Sequence, residues 1–94
     1  MRRYIIEREL NGAGRLTADQ MKTVRETSNA ALRETGPGIL WVESLVTENR
    51  IYCQYMATDE ETVRRHAERA GIPCTTVTEV QSVVDPMTVT FQKQ

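Results

Sequence analysis

Ile39-Leu40-Trp41-Val42-Glu43-Ser44-Leu45-Val46, then Thr47-Glu48-Asn49-Arg50, then Ile51-Tyr52-Cys53-Gln54-Tyr55-Met56-Ala57 is the stretch that decides the fold. Two runs of strand length, rich in β-branched and aromatic residues, flank four polar residues. That pattern reads as a β-hairpin. Pairing Val46 with Ile51 sets the register. The two-residue period of a strand then puts Trp41, Glu43, Leu45, Tyr52, Gln54 and Met56 on one face. Leu40, Val42, Ser44, Cys53 and Tyr55 fall on the other.

Moving outward, a helix is predicted on each side of the hairpin. The first opens at Thr17, with Gln20 completing a capping box, and carries an apolar stripe of Met21, Val24, Ala31 and Leu32. Gly36-Pro37-Gly38 ends it. The second opens at Thr58 as a capping box with Glu61, and Asp59 and Glu60 complement its dipole. Val63, His66, Ala67 and Ala70 line its inner side, and Gly71 and Pro73 stop it. Beyond the helices lie two more strands. Residues 3–10 form the first, with Tyr4, Ile6 and Arg8 opposed to Ile5, Glu7 and Glu9. Residues 75–80 form the last, with Val77 and Glu79 opposed to Thr76 and Thr78. Residues 83–94 read as a C-terminal tail in which 87–91 make an edge strand or a dimer arm.

The order βαββαβ gives an α+β, ferredoxin-like fold in one domain over residues 1–94. Its four-stranded antiparallel sheet has strand order 4-1-3-2, with both helices on one face. The other face is predicted to carry Ile5, Trp41, Leu45, Tyr52, Met56 and Val77, an apolar set that calls for a partner. Two such faces closing on each other make a homodimer, a dimeric α/β barrel.

Composition narrows the function by exclusion. The net charge is -1, with 39% hydrophobic and 27% charged residues, so nothing electrostatic points to nucleic acid or an anionic membrane. No apolar run reaches the length of a signal peptide or membrane span, and the expected location is the cytoplasm. Cys53 and Cys74 lack CxxC spacing and read as free thiols. There is no Gly-rich phosphate loop, HExxH or EF-hand pattern.

Three groups of residues are candidates for chemistry. Strand parity puts Glu7, Glu43 and Glu79 on the face that dimerisation would enclose. Enclosed carboxylates are costly unless paired, protonated or bound to a cation, so a divalent metal is one solution. Ion pairs with Arg3, Arg8 or Arg50, or plain solvation at the barrel mouth, are the other. His66 and Cys53 both point to the helix side. A Cys/His pair suits nickel or zinc, or an activated thiol; it equally suits core packing. Trp41, Tyr52 and Met56 would line the barrel interior as a pocket for a flat apolar ligand, or simply as interface packing.

Trp41-Val42-x-Ser44, Tyr52-Cys53-x-Tyr55, His66-Ala67-Glu68-Arg69-Ala70-Gly71-x-Pro73 and Thr78-Glu79-Val80 occur in an order and spacing that is similar to a small bacterial family. That family, formerly a domain of unknown function, comprises nickel-binding proteins that form a dimeric ferredoxin-like α/β barrel. The resemblance spans residues 3–82. It implies a divalent metal, nickel first, bound by a homodimer. The family often carries His where this chain has Glu43, a change toward a harder, oxygen-rich site.

The sequence thus favours a cytosolic metal-binding protein, with Glu7, Glu43 and Glu79 as ligands, His66 and Cys53 in reserve, and no catalytic residues. The alternative is a cofactor-free monooxygenase- or isomerase-like enzyme using the barrel lumen as a pocket. A third reading is an interaction module without a ligand.

Overall fold

A computed structural model describes residues 1–71 and 76–92. Strands β1 (Arg2–Glu9), β2 (Ile39–Val46), β3 (Arg50–Ala57) and β4 (Thr76–Glu79) form one antiparallel sheet in the order β2-β3-β1-β4. This is the predicted order read from the opposite edge. Helices α1 (Ala18–Thr35) and α2 (Glu60–Ala70) pack on each other and on the sheet. Among the described residues no helix is long and apolar enough to cross a membrane.

Alternation along β1 defines the covered face: Tyr4, Ile6 and Arg8 are buried, while Ile5 and Glu7 keep partial access on the other side. Ile51, Cys53, Tyr55 and Ala57 of β3 join the first set and meet Val63 of α2. Thr17 caps α1 as the sequence indicates. Its Oγ1 accepts from the Gln20 amide at 3.1 Å, and Gln20 Oε1 accepts from the Thr17 amide at 2.8 Å. The second cap differs by one residue. Asp59, not Thr58, caps α2: its carboxylate accepts from the Thr62 amide at 2.8 Å and the Thr62 hydroxyl at 2.7 Å. These bonds hold the Asp59 carboxyl below the usual carboxylate range. A charged acceptor is the stronger cap at the positive end of a helix.

Two departures from simple parity reshape the sheet. Trp41 opposes Tyr55 but Glu43 opposes Gln54, so Val42 is an extra residue, a β-bulge in β2. Beyond it every side chain changes face. Trp41 turns to the covered side beside Tyr55, and Leu40 turns to the uncovered side beside Met56. The expected placement of Trp41 on the uncovered face is therefore corrected. The bulge lets Ile39 and Trp41 join the core, which a regular strand would have denied them. In β4, Glu79 opposes Tyr4 and Val77 opposes Ile6. Val77 and Glu79 thus lie on the covered face, the reverse of the expectation. Burying Val77 against Ile6, with Thr76 and Thr78 left toward water, selects that arrangement.

The tail forms its own two-stranded sheet, β5 (Ser82–Val84) with β6 (Val89–Phe91), rather than extending the edge of the main one. Cys74 and Pro73 lie outside the described residues.

A short 3₁₀ turn at Ala13–Arg15 docks on the β2–β3 turn. The Gly14 amide donates to Glu48 O at 3.0 Å, and a Cβ on Gly14 would sit 3.0 Å from Glu48 Cα and 3.1 Å from Thr47 O. Both neighbours are backbone and cannot rotate away. Gly14→Ala is expected to lower stability by about 1–2 kcal/mol, read as a lower urea midpoint at unchanged m-value. An unshifted midpoint would show that the turn moves aside freely.

Candidate functional site

The uncovered face is built from alternate residues of three strands. Glu43, Gln54 and Ile5 form one row across β2, β3 and β1, and Leu45, Tyr52 and Glu7 form the next. Tyr52 and Met56 are on this face, as expected. Leu40 and Leu45 stand out from it with 58% and 53% of their surface exposed.

Of the three predicted carboxylates, two share this face. Glu7 is paired with Arg50, whose other guanidinium nitrogen reaches Glu9 at 3.3 Å. This is the ion pair weighed against metal binding in the sequence. Among the described residues no side chain hydrogen-bonds or pairs with Glu43, and it is exposed. Glu7 and Glu43 lie two strands and two residues apart, roughly 12 Å of backbone by strand spacing and rise. One chain cannot bring both to a single ion. Glu79 sits across the sheet from them. Arg2 donates to it at 2.8 Å and Tyr4 at 3.5 Å. The Arg2 hydrogen bond holds its carboxyl below the usual range.

His66 and Cys53 are both on the covered side, as expected, but each already has a defined neighbour. His66 Nε2 lies 3.0 Å from the Tyr55 hydroxyl, with the two rings edge to face at 5.0 Å. Arg8 donates to the same hydroxyl from 3.5 Å. A neutral imidazole has one ring nitrogen that donates and one that accepts, and Nε2 is the one that meets the phenol. Nδ1 is fully buried and makes no hydrogen bond among the described residues. Burial first, then the Arg8 charge, push the imidazole pKa down to about 4, so His66 is neutral. Burial pushes the Tyr55 phenol up. Cys53 Sγ accepts from the Ser44 hydroxyl at 3.0 Å, and Ser44 in turn accepts from Trp41 Nε1 at 3.0 Å. Among the described residues no three His, Cys, Asp or Glu side chains converge as a metal centre.

The sequence reading missed the polar group at the centre of this side. Arg8 is 1% exposed. The signal was present: Arg8 shares the parity of Tyr4 and Ile6, the most apolar face of β1. Beside it, Trp41, Cys53 and Tyr55 line a cavity of about 190 Å³ between α1 and the sheet.

Comparison with known proteins adds one family and one fold. The family described as nickel responsive protein SCO4226-like matches residues 4–80. A crystal structure of SCO4226 from Streptomyces coelicolor A3(2) superposes with a TM-score of 0.69 at 20% identity, covering 92% of this chain and 98% of that one. No curated protein matches.

Proposed function

Since this chain belongs to the SCO4226-like family of nickel responsive proteins, we propose that it is a cytoplasmic metal-binding protein, with nickel the first candidate, acting as a homodimer closed by its uncovered sheet faces. One observation carries the site: Glu43 is a carboxylate without a described partner, on a face whose exposed leucines call for cover. Enclosing that face would raise the cost of its charge and favour a cation. A two-fold axis would supply the second Glu43, which answers the spacing problem that one chain poses. Glu7 is set aside, because it is paired with Arg50 and lies too far along the same chain to share an ion with Glu43. Glu79, His66 and Cys53 are set aside, because they lie on the covered side with neighbours of their own. The affinity order of first-row ions places nickel above manganese and below copper at any such site.

Titration calorimetry on untagged protein tests this. Nickel should bind with a Kd of about 10 μM or tighter, and Glu43→Gln should weaken it at least about tenfold, or 1.4 kcal/mol. Wild-type binding no tighter than millimolar rejects the reading. Equal binding by the variant rejects Glu43 as ligand.

A further inference from the structure

The cavity between α1 and the sheet is separate from the proposed metal site and lies on the opposite side of the sheet. Its apolar walls are the Trp41 indole, Met21 and Val24 of α1, and Ile51 of β3. The β2 bulge creates it, because a regular strand would carry Trp41 to the other face. Polar side chains of the sheet wall already have partners. The Trp41 indole donates to Ser44, Ser44 donates to Cys53 Sγ, and the Tyr55 hydroxyl meets His66 and accepts from Arg8. Ser28, on the helix wall, is different. It lines the cavity and is 4% exposed. A serine or threonine hydroxyl in a helix commonly returns to the carbonyl four residues before it. On α1, Thr23 does so to Asp19 at 3.2 Å and Thr35 to Ala31 at 2.8 Å. Among the described residues the Ser28 hydroxyl makes neither that bond nor another. A buried hydroxyl left unpaired is costly, and a polar group brought into the cavity would relieve the cost. At about 190 Å³ the space matches a single ring with a small substituent, since a dry cavity of about 150 Å³ takes benzene.

We propose that this cavity is a binding site for a small neutral aromatic ring carrying one hydrogen-bonding group, with the ring between Trp41 and the α1 side chains Met21 and Val24, and its polar atom on the Ser28 hydroxyl. Apolar walls supply affinity, and the one unpartnered hydroxyl fixes the orientation. That hydroxyl is uncharged and can donate or accept, so it suits a phenol-like group and does not repay the desolvation of an ion.

Trp41 is the single tryptophan of the chain, so its fluorescence reports on this cavity alone. The probes are phenol, toluene and benzoate: one ring with a hydroxyl, a methyl or a charge. Phenol should change Trp41 emission saturably, with a Kd of about 1 mM or tighter. Benzoate should bind more weakly than phenol by at least about tenfold, because its charge must leave water. Ser28→Ala, which suits a helix, should weaken phenol by about fivefold and leave toluene unchanged or tighter. Val24→Phe, which fills the cavity from the helix side, should abolish the response while circular dichroism stays native. On wild-type protein, the phenol ring protons should show nuclear Overhauser contacts to the Val24 and Ile51 methyls. Phenol binding weaker than about 1 mM, benzoate binding tighter than phenol, or absence of those methyl contacts would each overturn the proposal. So would an equal effect of Ser28→Ala on phenol and toluene, or an undiminished response in a folded Val24→Phe.

Discussion

Lowering the pH from 7 to 5 is expected to cost the native state about 2 kcal/mol, and a His66→Gln variant should lose almost none of that amount. The chain has one histidine, so this window isolates a single side chain. His66 is fully buried, and its pKa is pushed down to about 4. In the unfolded chain it returns to about 6.5. Below 6.5 the unfolded state therefore binds a proton that the native state refuses, and stability falls as the pH falls. The loss grows until the pH reaches the folded value near 4 and then stops growing. Glu79 and Asp59, with carboxyls held low, add their own loss only as the pH falls into the ordinary carboxylate range and below it. Stopping at pH 5 keeps them out. The variant starts less stable at pH 7, because the Tyr55 hydroxyl loses its imidazole partner, but its stability should be nearly flat down to pH 5. Urea unfolding at pH 7, 6 and 5 measures both slopes. A wild-type slope as flat as the variant's, or an imidazole titrating near 6.5 by NMR, would contradict the buried, neutral His66 described here.

The readings that succeeded and those that failed separate by cause. Both helices, the hairpin and the strand order follow from local signals: Thr17 with Gln20, the glycines after each helix, and four polar residues between two apolar runs. The family resemblance rests on the same central residues, and the match over residues 4–80 bears it out. Side-chain faces are another matter, because they depend on counting residues without a slip. One extra residue at Val42 reverses the facing of Trp41, and nothing in Trp41-Val42-Glu43 announces it. In β4 the count was right but the anchor was wrong. Val77 has its apolar partner in Ile6, a contact between strands seventy residues apart in sequence, and no local signal specifies it. Of the five predicted ligands only Glu79 changed face, through the β4 error; His66 and Cys53 are on the helix side where the sequence put them. Glu7 and Glu43 kept their shared face because β1 and the upper half of β2 run without irregularity. Arg8 was placed correctly by parity yet was considered only as one possible ion-pair partner for the glutamates, since a buried arginine is rare without a reason.

Leu45→Glu is expected to convert the proposed dimer to a monomer at micromolar concentration, a weakening of at least about 100-fold, or 2.7 kcal/mol. Leu45 stands on the edge strand β2 beside Tyr52, and Tyr52 beside Glu7, on the uncovered face. The substitution removes an exposed apolar side chain that dimerisation would bury and puts a carboxylate among Glu7 and Glu43. In a two-fold interface the change occurs twice, and each new carboxylate would be enclosed without a cation of its own, since Arg50 is already paired with Glu7 and Glu9. Folding of the single chain should be nearly untouched, because Leu45 is 53% exposed there. Trp41→Ala is the matching control. Its indole lies on the covered side, so the dimer should persist while urea stability drops. Light scattering on a sizing column reads both variants. A monomeric wild type at micromolar concentration would remove the dimer and with it the shared Glu43 site. A dimer that survives Leu45→Glu but fails in Trp41→Ala would place the interface on the helix side instead. Because the metal proposal needs two copies of Glu43, Leu45→Glu should also lose nickel binding, although the residue itself carries no part of the native ligand set.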